Sequence, residues 1–161
     1  MDDYVNAWTG PGSQITDRVT VSAWARNVGA PSAFNTIIAN YASNAGWAIR
    51  TAESGISYLH FLGRSGAGEV RVIIASEAET FNGAWHHVAF TVSGGVARTY
   101  LDGGFVASAS GVVNLQPATT TLIGKGHIGG LGFWNGLIDE VRIYNRALSD
   151  QEIKVLYEAT K

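Results

Sequence analysis

Trp85-His86-His87-Val88-Ala89-Phe90-Thr91-Val92-Ser93-Gly94-Gly95-Val96-Ala97-Arg98-Thr99-Tyr100-Leu101-Asp102-Gly103-Gly104-Phe105-Val106-Ala107-Ser108-Ala109-Ser110 holds three apolar, β-branched or aromatic runs. Gly94-Gly95 separates the first two, and Asp102-Gly103-Gly104 separates the second from the third. Both separators supply the positive φ angles that a tight hairpin needs. The segment therefore predicts a three-stranded antiparallel meander.

Outward from this meander the same grammar recurs about every ten residues: a short run of strand formers, then a Gly/Asn/Ser/Asp cluster. Strands are expected at Tyr4–Trp8, Arg18–Arg26, Thr36–Tyr41, Trp47–Thr51, Ile56–Leu62 and Glu69–Ala75. Beyond the meander, Thr120–Gly124 and Leu137–Tyr144 read the same way. Val70, Val72 and Ile74 share one strand face, with Arg71 on the other. In Arg18–Arg26 the set Val19, Val21, Ala23 opposes Thr20, Ser22, Trp24, so both faces are expected to be covered, and which one is the core stays open. One helix is expected, at the end. Ser149-Asp150-Gln151-Glu152 is a capping box, Leu148 and Ile153 form a hydrophobic staple, and Ile153, Leu156 and Tyr157 share a helical face. No internal repeat, linker or low-complexity stretch divides the chain, which reads as a single domain over residues 1–161, excised from a larger protein.

Composition excludes several classes. The 161 residues are 46% hydrophobic and 15% charged, enough for one substantial core. Twenty glycines with only three prolines and no tripeptide period punctuate turns and do not suggest collagen. A net charge of −2 without a basic stripe argues against nucleic acid as a partner. The absence of cysteine excludes disulfides and thiolate chemistry. No stretch approaches the roughly 20 apolar residues of a membrane span, and Met1-Asp2-Asp3-Tyr4 is acidic where a signal peptide is basic.

Three motifs carry a family resemblance. Phe133-Trp134-Asn135-Gly136-Leu137-Ile138-Asp139-Glu140-Val141-Arg142-Ile143-Tyr144-Asn145-Arg146-Ala147-Leu148-Ser149 resembles the closing signature of laminin-G-like, concanavalin-A-like lectin domains. Val21-Ser22-Ala23-Trp24 is similar to an early core strand of that family, and Trp85–Phe90 with Thr99–Gly103 to its central hairpin. The resemblance implies an all-β, two-sheet antiparallel jelly-roll sandwich with a short C-terminal helix. It implies an extracellular or cell-surface setting, often with bound calcium and carbohydrate. The family strand that usually precedes Asp2-Asp3-Tyr4-Val5 is missing here; either the chain was cut there or a sheet edge is unprotected.

Adjacent strand positions point to opposite faces, so Asp139 and Glu140 are not expected to flank one glycosidic bond. Glu77 and Glu79 would share a face if Ser76–Thr80 were extended, but the Glu-x-Asp-x-(x)-Glu motif of laminarinase-type glucanases is absent. Calcium takes carboxylate and carbonyl oxygens, and the resemblance points to Asp139 as a ligand, with Asp3 or Asp2 beside it. The alternative for Asp139 is a turn cap or a pair with Arg142 or Arg146. The rings of His86 and His87 are separated by alternation, and no metal-ligand spacing surrounds His60 or His127.

Sugar rings stack on Trp or Tyr while their hydroxyls pair with Asn, Asp, Arg or His. By family position Trp24, Trp85 and Trp47 read as structural. Trp8, Trp134, Arg50 and His127 remain as rim candidates, and jelly-roll topology is expected to bring the first and last strands, with Trp8 and Trp134, together. Tyr58 and His60 share a face with Ile56 and Leu62, which would be core instead. The expected function is a non-catalytic carbohydrate-binding or adhesion module. A protein–protein or assembly module is the alternative, and a glycoside hydrolase of the same fold the third reading. The partner is then a carbohydrate or another protein.

Overall fold

The computed structural model describes residues 4–9, 17–29, 34–42, 45–51, 58–65, 68–80, 82–111, 115, 120–126 and 132–161. Among the described residues there are eleven strands: β1 (Val5–Thr9), β2 (Arg18–Asn27), β3 (Thr36–Ala42), β4 (Ala45–Thr51), β5 (Tyr58–Ser65), β6 (Gly68–Ser76), β7 (Trp85–Ser93), β8 (Val96–Leu101), β9 (Gly104–Ser110), β10 (Thr120–Ile123) and β11 (Gly136–Tyr144). The same residues include two helices, α1 (Glu77–Thr80) and α2 (Asp150–Thr160). The strands form two antiparallel sheets, ordered β1-β10-β3-β4-β5-β6 and β11-β2-β7-β8-β9. This is the expected all-β jelly-roll sandwich.

The meander is built as its glycines dictate. Ser93 pairs with Val96 and Leu101 with Gly104, leaving two-residue turns at Gly94-Gly95 and Asp102-Gly103. All four turn residues have positive φ, between 49° and 77°. Such turns match the twist of the flanking strands.

The valine face of β2 is the core face. Val19, Val21 and Ala23 are fully buried between the sheets, opposite Ile49, Leu59, Phe61 and Ile74 of the six-stranded sheet. Phe90 of β7 bridges the layers, its ring 4.4 Å from Phe61 and 5.6 Å from Trp47. The opposite face of β2 is also covered, by α2. Ile153 and Leu148 pack with Ala89 and Tyr100, and Leu156 and Tyr144 flank them. Ser149 caps α2 with its hydroxyl accepting from Glu152 N–H, and the Glu152 carboxylate accepts from Ser149 N–H, so the capping box is complete.

Three conditional readings take a more specific form in the structure. The first and last strands do not pair: β1 pairs with β10 and β11 with β2, in different sheets. The ends meet instead through side chains, the Tyr4 and Phe133 rings lying 6.4 Å apart. Ser76–Thr80 is not extended. Ser76 N–H and hydroxyl donate to Glu79, and Thr80 donates to the Ser76 carbonyl, closing one helical turn by the same Ser-x-x-Glu logic as α2. Glu77 and Glu79 therefore lose the strand alternation on which their pairing depended. Finally, both faces of β5 are buried. Leu59 and Phe61 face the main core, while Leu62 joins Tyr41, Ala39 and Ala48 in a second cluster on the outer face of the six-stranded sheet.

Candidate functional site: a groove beside the last turn of helix α2

Where α2 ends, a groove of about 450 Å³ opens on the outer face of the five-stranded sheet. Trp24, Trp85, Asp102, Asp139, Glu140, Tyr157, Thr160 and Lys161 line it. The pairing of Trp24 with His87 and Arg26 with Trp85 sets the aromatic floor on neighbouring strands. The Trp24 indole stacks on Tyr157 (5.6 Å, 28° between planes) and donates to Thr160 Oγ1 at 2.9 Å. Its ring meets His87 edge-on at 5.6 Å. Burial pushes the His87 imidazole down to about 4, outweighing the opposing pull of Asp102, so at neutral pH it is an uncharged filler beneath the floor. Trp85 is 38% exposed and presents open ring surface. The Asp102-Gly103 turn tucks under Tyr157: a Cβ on Gly103 would stand 3.0 Å from that ring.

The carboxylate wall comes from a bulge. Asp139 pairs with Trp24 but Arg142 pairs with Ser22, so Glu140 and Val141 together oppose Ala23. Glu140 takes φ 49° to accommodate the extra residue. Simple alternation fails there, and Asp139 and Glu140 line the same groove, contrary to expectation. Their oxygens are engaged locally. Asp139 Oδ1 accepts from Glu140 N–H at 2.8 Å, and Glu140 accepts from Arg142 Nη2 at 2.6 Å. Asp102 accepts from His87 N–H at 2.9 Å and bonds His86 Nδ1 at 2.8 Å. All three carboxylates serve as acceptors fixed by their own sheet.

Of the residues expected at a rim, Trp134 and Arg50 stand elsewhere among the described residues. Trp134 is 8% exposed and belongs to the main core, so its ring offers little surface for stacking. Its position is set by the close approach of Gly136 to the Arg26 carbonyl, where no Cβ fits. Arg50 is 4% exposed on the outer face of the six-stranded sheet, again unlike a rim residue. Trp8 pairs through its backbone with Thr121 at the sheet edge. His127 and Asp3 lie outside the described residues. Asp139 is exposed, as a ligand must be, but it caps the bulge. Among the described residues no group of three or more His, Cys, Asp or Glu side chains gathers to hold a metal.

Trp24 and Trp85, assigned to the core from family positions, stand outside the inter-sheet core and form the groove. Trp47, 2% exposed, is core as expected. The signal for Trp24 was present in its position opposite the valines, and for Tyr157 in the apolar face of the helix.

A laminin-G family model described as the concanavalin A-like lectin/glucanases superfamily matches residues 2–154. The chain belongs to that superfamily. Its fold is similar to solved binding domains of botulinum neurotoxins. That of neurotoxin DC in complex with rat synaptotagmin II aligns with TM-score 0.69 at 17% identity, over 93% of this chain and 37% of that one. The same domain in complex with SialylT gives 0.71 at 17%, over 95% and 38%. The serotype G binding domain gives 0.73 at 14%, over 98% and 40%. The chain thus spans about two fifths of the length of these neighbours. Comparison with curated proteins finds no match. No helix among the described residues is long and apolar enough to cross a membrane.

Proposed function

We propose that this domain is a non-catalytic carbohydrate-binding or adhesion module of an extracellular or surface protein, and that its ligand seats in the groove beside α2. One observation carries the reading: an exposed tryptophan floor meets a wall of carboxylate acceptors in a groove of ligand size. The Trp85 ring stacks on the apolar C–H face of a sugar, while Asp139, Glu140 and Thr160 take its hydroxyls. Three carboxylates against Lys161 favour a neutral glycan over an acidic one. The engagement of Asp102 and Glu140 by neighbouring donors supports binding over hydrolysis, since neither stands free as a proton shuttle. A glycan array with the intact domain tests this: binding of neutral glycans supports it, and binding of none, or turnover of a glucan, overturns it.

Calcium stays within the proposal on the family resemblance. Asp139 and Glu140 supply the hard oxygen chemistry it takes, and Asp3 is the proposed additional ligand. Millimolar calcium then raises the melting temperature, and Asp139→Asn removes the rise. A melting curve indifferent to calcium and to chelator takes the ion out of the account.

The assembly reading is favoured by a separate observation. Among the described residues β1 has one strand neighbour at the end of the six-stranded sheet, and Tyr4 and Val5 beside that edge are about half exposed. An open edge is a template for another strand. Light scattering that finds one chain at all concentrations, with no partner co-purifying, removes this reading.

A further inference from the structure

The outer face of the six-stranded sheet, opposite the groove, holds buried polar groups with no assigned use. Arg50 of β4 and His60 of β5 are directly paired and share that face. Arg50 is 4% exposed and His60 fully buried. Arg50 Nε and both His60 ring nitrogens make no hydrogen bond of good geometry among the described residues. Such groups in native proteins nearly always have a partner, and an unexplained set points to a water or an ion. The Arg50 guanidinium lies 5.0 Å from the Phe34 ring, which attracts a cation without neutralising it.

Among the described residues the charge around this pair is one-sided. Arg64 and Arg71 flank it on β5 and β6, and both donate to the single carboxylate of Glu69. Three guanidiniums thus face one carboxylate, and among the described residues Glu69 is the acid that acts on Arg50 and His60. Burial first, then Arg50 and Arg71, hold the His60 imidazole down at about 3, so it adds no charge of its own at neutral pH. A guanidinium does not escape by deprotonating. Beside Arg50 is a cavity of about 10 Å³, lined also by Phe34, Thr36, Tyr41, Leu62 and Gly126. That space admits one water-sized particle. It is too small for a sulfate, a phosphate or a sugar carboxylate.

We propose that this cavity is a binding site for a monatomic anion, a halide such as chloride, held by the Arg50 guanidinium on the outer face of the six-stranded sheet. A water in the same space would satisfy hydrogen bonds, but only an anion offsets the positive charge in excess among the described residues. The site is independent of the groove and of any glycan.

The test is halide-dependent stability together with bromide diffraction. At matched ionic strength, the melting temperature of the intact domain should rise saturably in chloride or bromide over methanesulfonate, which the cavity excludes. Arg50→Met, similar in length and uncharged, should lose that difference whatever its own stability. A crystal of the unaltered domain grown in bromide should show an anomalous peak beside Arg50, which keeps the proposal testable if Arg50→Met does not fold. Equal melting temperatures in all three salts, or bromide crystals with no peak at Arg50, would overturn it.

Discussion

Trp24 and Thr160, 136 residues apart in sequence, share a 2.9 Å hydrogen bond that ties the second strand to the last turn of the terminal helix. The start of that helix is tied to the same sheet. Thr20 Oγ1 donates to the Arg146 carbonyl and accepts from Leu148 N–H, both at 2.8 Å, and Tyr100 donates to Asp150 at 2.8 Å. The helix is thus fastened at both ends across the sheet, and the groove lies between its C-terminal residues Thr160 and Lys161 and the β11 bulge at Asp139 and Glu140. The groove's shape depends on the helix being docked.

Removing the cap of that helix should be measurable. Ser149→Ala deletes the hydroxyl that accepts Glu152 N–H and is expected to cost about 1 kcal/mol in chemical denaturation. An unchanged denaturation midpoint would mean that α2 contributes nothing to the cooperative unit.

Acid should loosen the same element. The Arg146 guanidinium, then the Ser149 N–H and hydroxyl, hold the Glu152 carboxyl down to about 2. A carboxyl depressed in the folded state contributes stability above its unfolded value near 4.3, lost as pH falls toward 2. The Glu152 side chain is partly exposed at the surface, so salt should shrink the effect. Replacing Glu152 with Gln should flatten the pH dependence in that window; an identical acid profile for the variant would contradict the assignment.

Buried imidazoles set a second, higher window. His87 is held at about 4 and His60 at about 3 by burial, against an unfolded value near 6.5. The unfolded chain therefore takes up protons first, and stability should begin to fall as pH drops below about 6.5, continuing to about 4 for His87 and about 3 for His60. Unfolding near pH 5 should take up close to two protons through these two residues, read from the slope of stability against pH. No extra proton uptake at that pH would show both imidazoles charged in the fold.

Much of this architecture was legible in the sequence, because strands announce themselves through turn chemistry. Gly94-Gly95 and Asp102-Gly103 specify hairpins almost by themselves, and Ser149-x-x-Glu152 specifies a helix start. What could not be read was how non-local pairing reassigns faces. Trp24 lies opposite a valine stripe either way, and only the docking of α2 on that face makes it a groove residue. The Glu140 bulge broke alternation without a glycine to mark it, so two carboxylates expected on opposite faces came to one wall. The α1 turn was legible and missed: Ser76-x-x-Glu79 repeats the motif recognised at Ser149. Trp134 looked free beside glycines, yet one of them, Gly136, sits where the Arg26 carbonyl and the Trp134 indole leave no room for a Cβ.

That tight fit predicts a sharp penalty. A Cβ at residue 136 would stand 2.0 Å from the Arg26 carbonyl and 2.8 Å from Trp134 Nε1. Gly136→Ala should destabilise the domain by about 1–3 kcal/mol through overpacking at the start of β11. A neutral result in thermal melts would show that this strand end is looser than its pairing with Asn27 implies.

The groove itself is tested most directly by isothermal titration of a neutral oligosaccharide, chosen from the glycan array, into the intact domain and into Trp85→Ala. Trp85 is the most exposed of the groove's aromatic rings and lies outside all three buried clusters, so the variant should melt near the parent temperature. Loss of the stacking ring is expected to weaken binding by about 0.5–1.5 kcal/mol beyond the area it covers, roughly twofold to tenfold or more. Binding by a folded Trp85→Ala domain with the parent's affinity would place the ligand somewhere other than the groove beside α2.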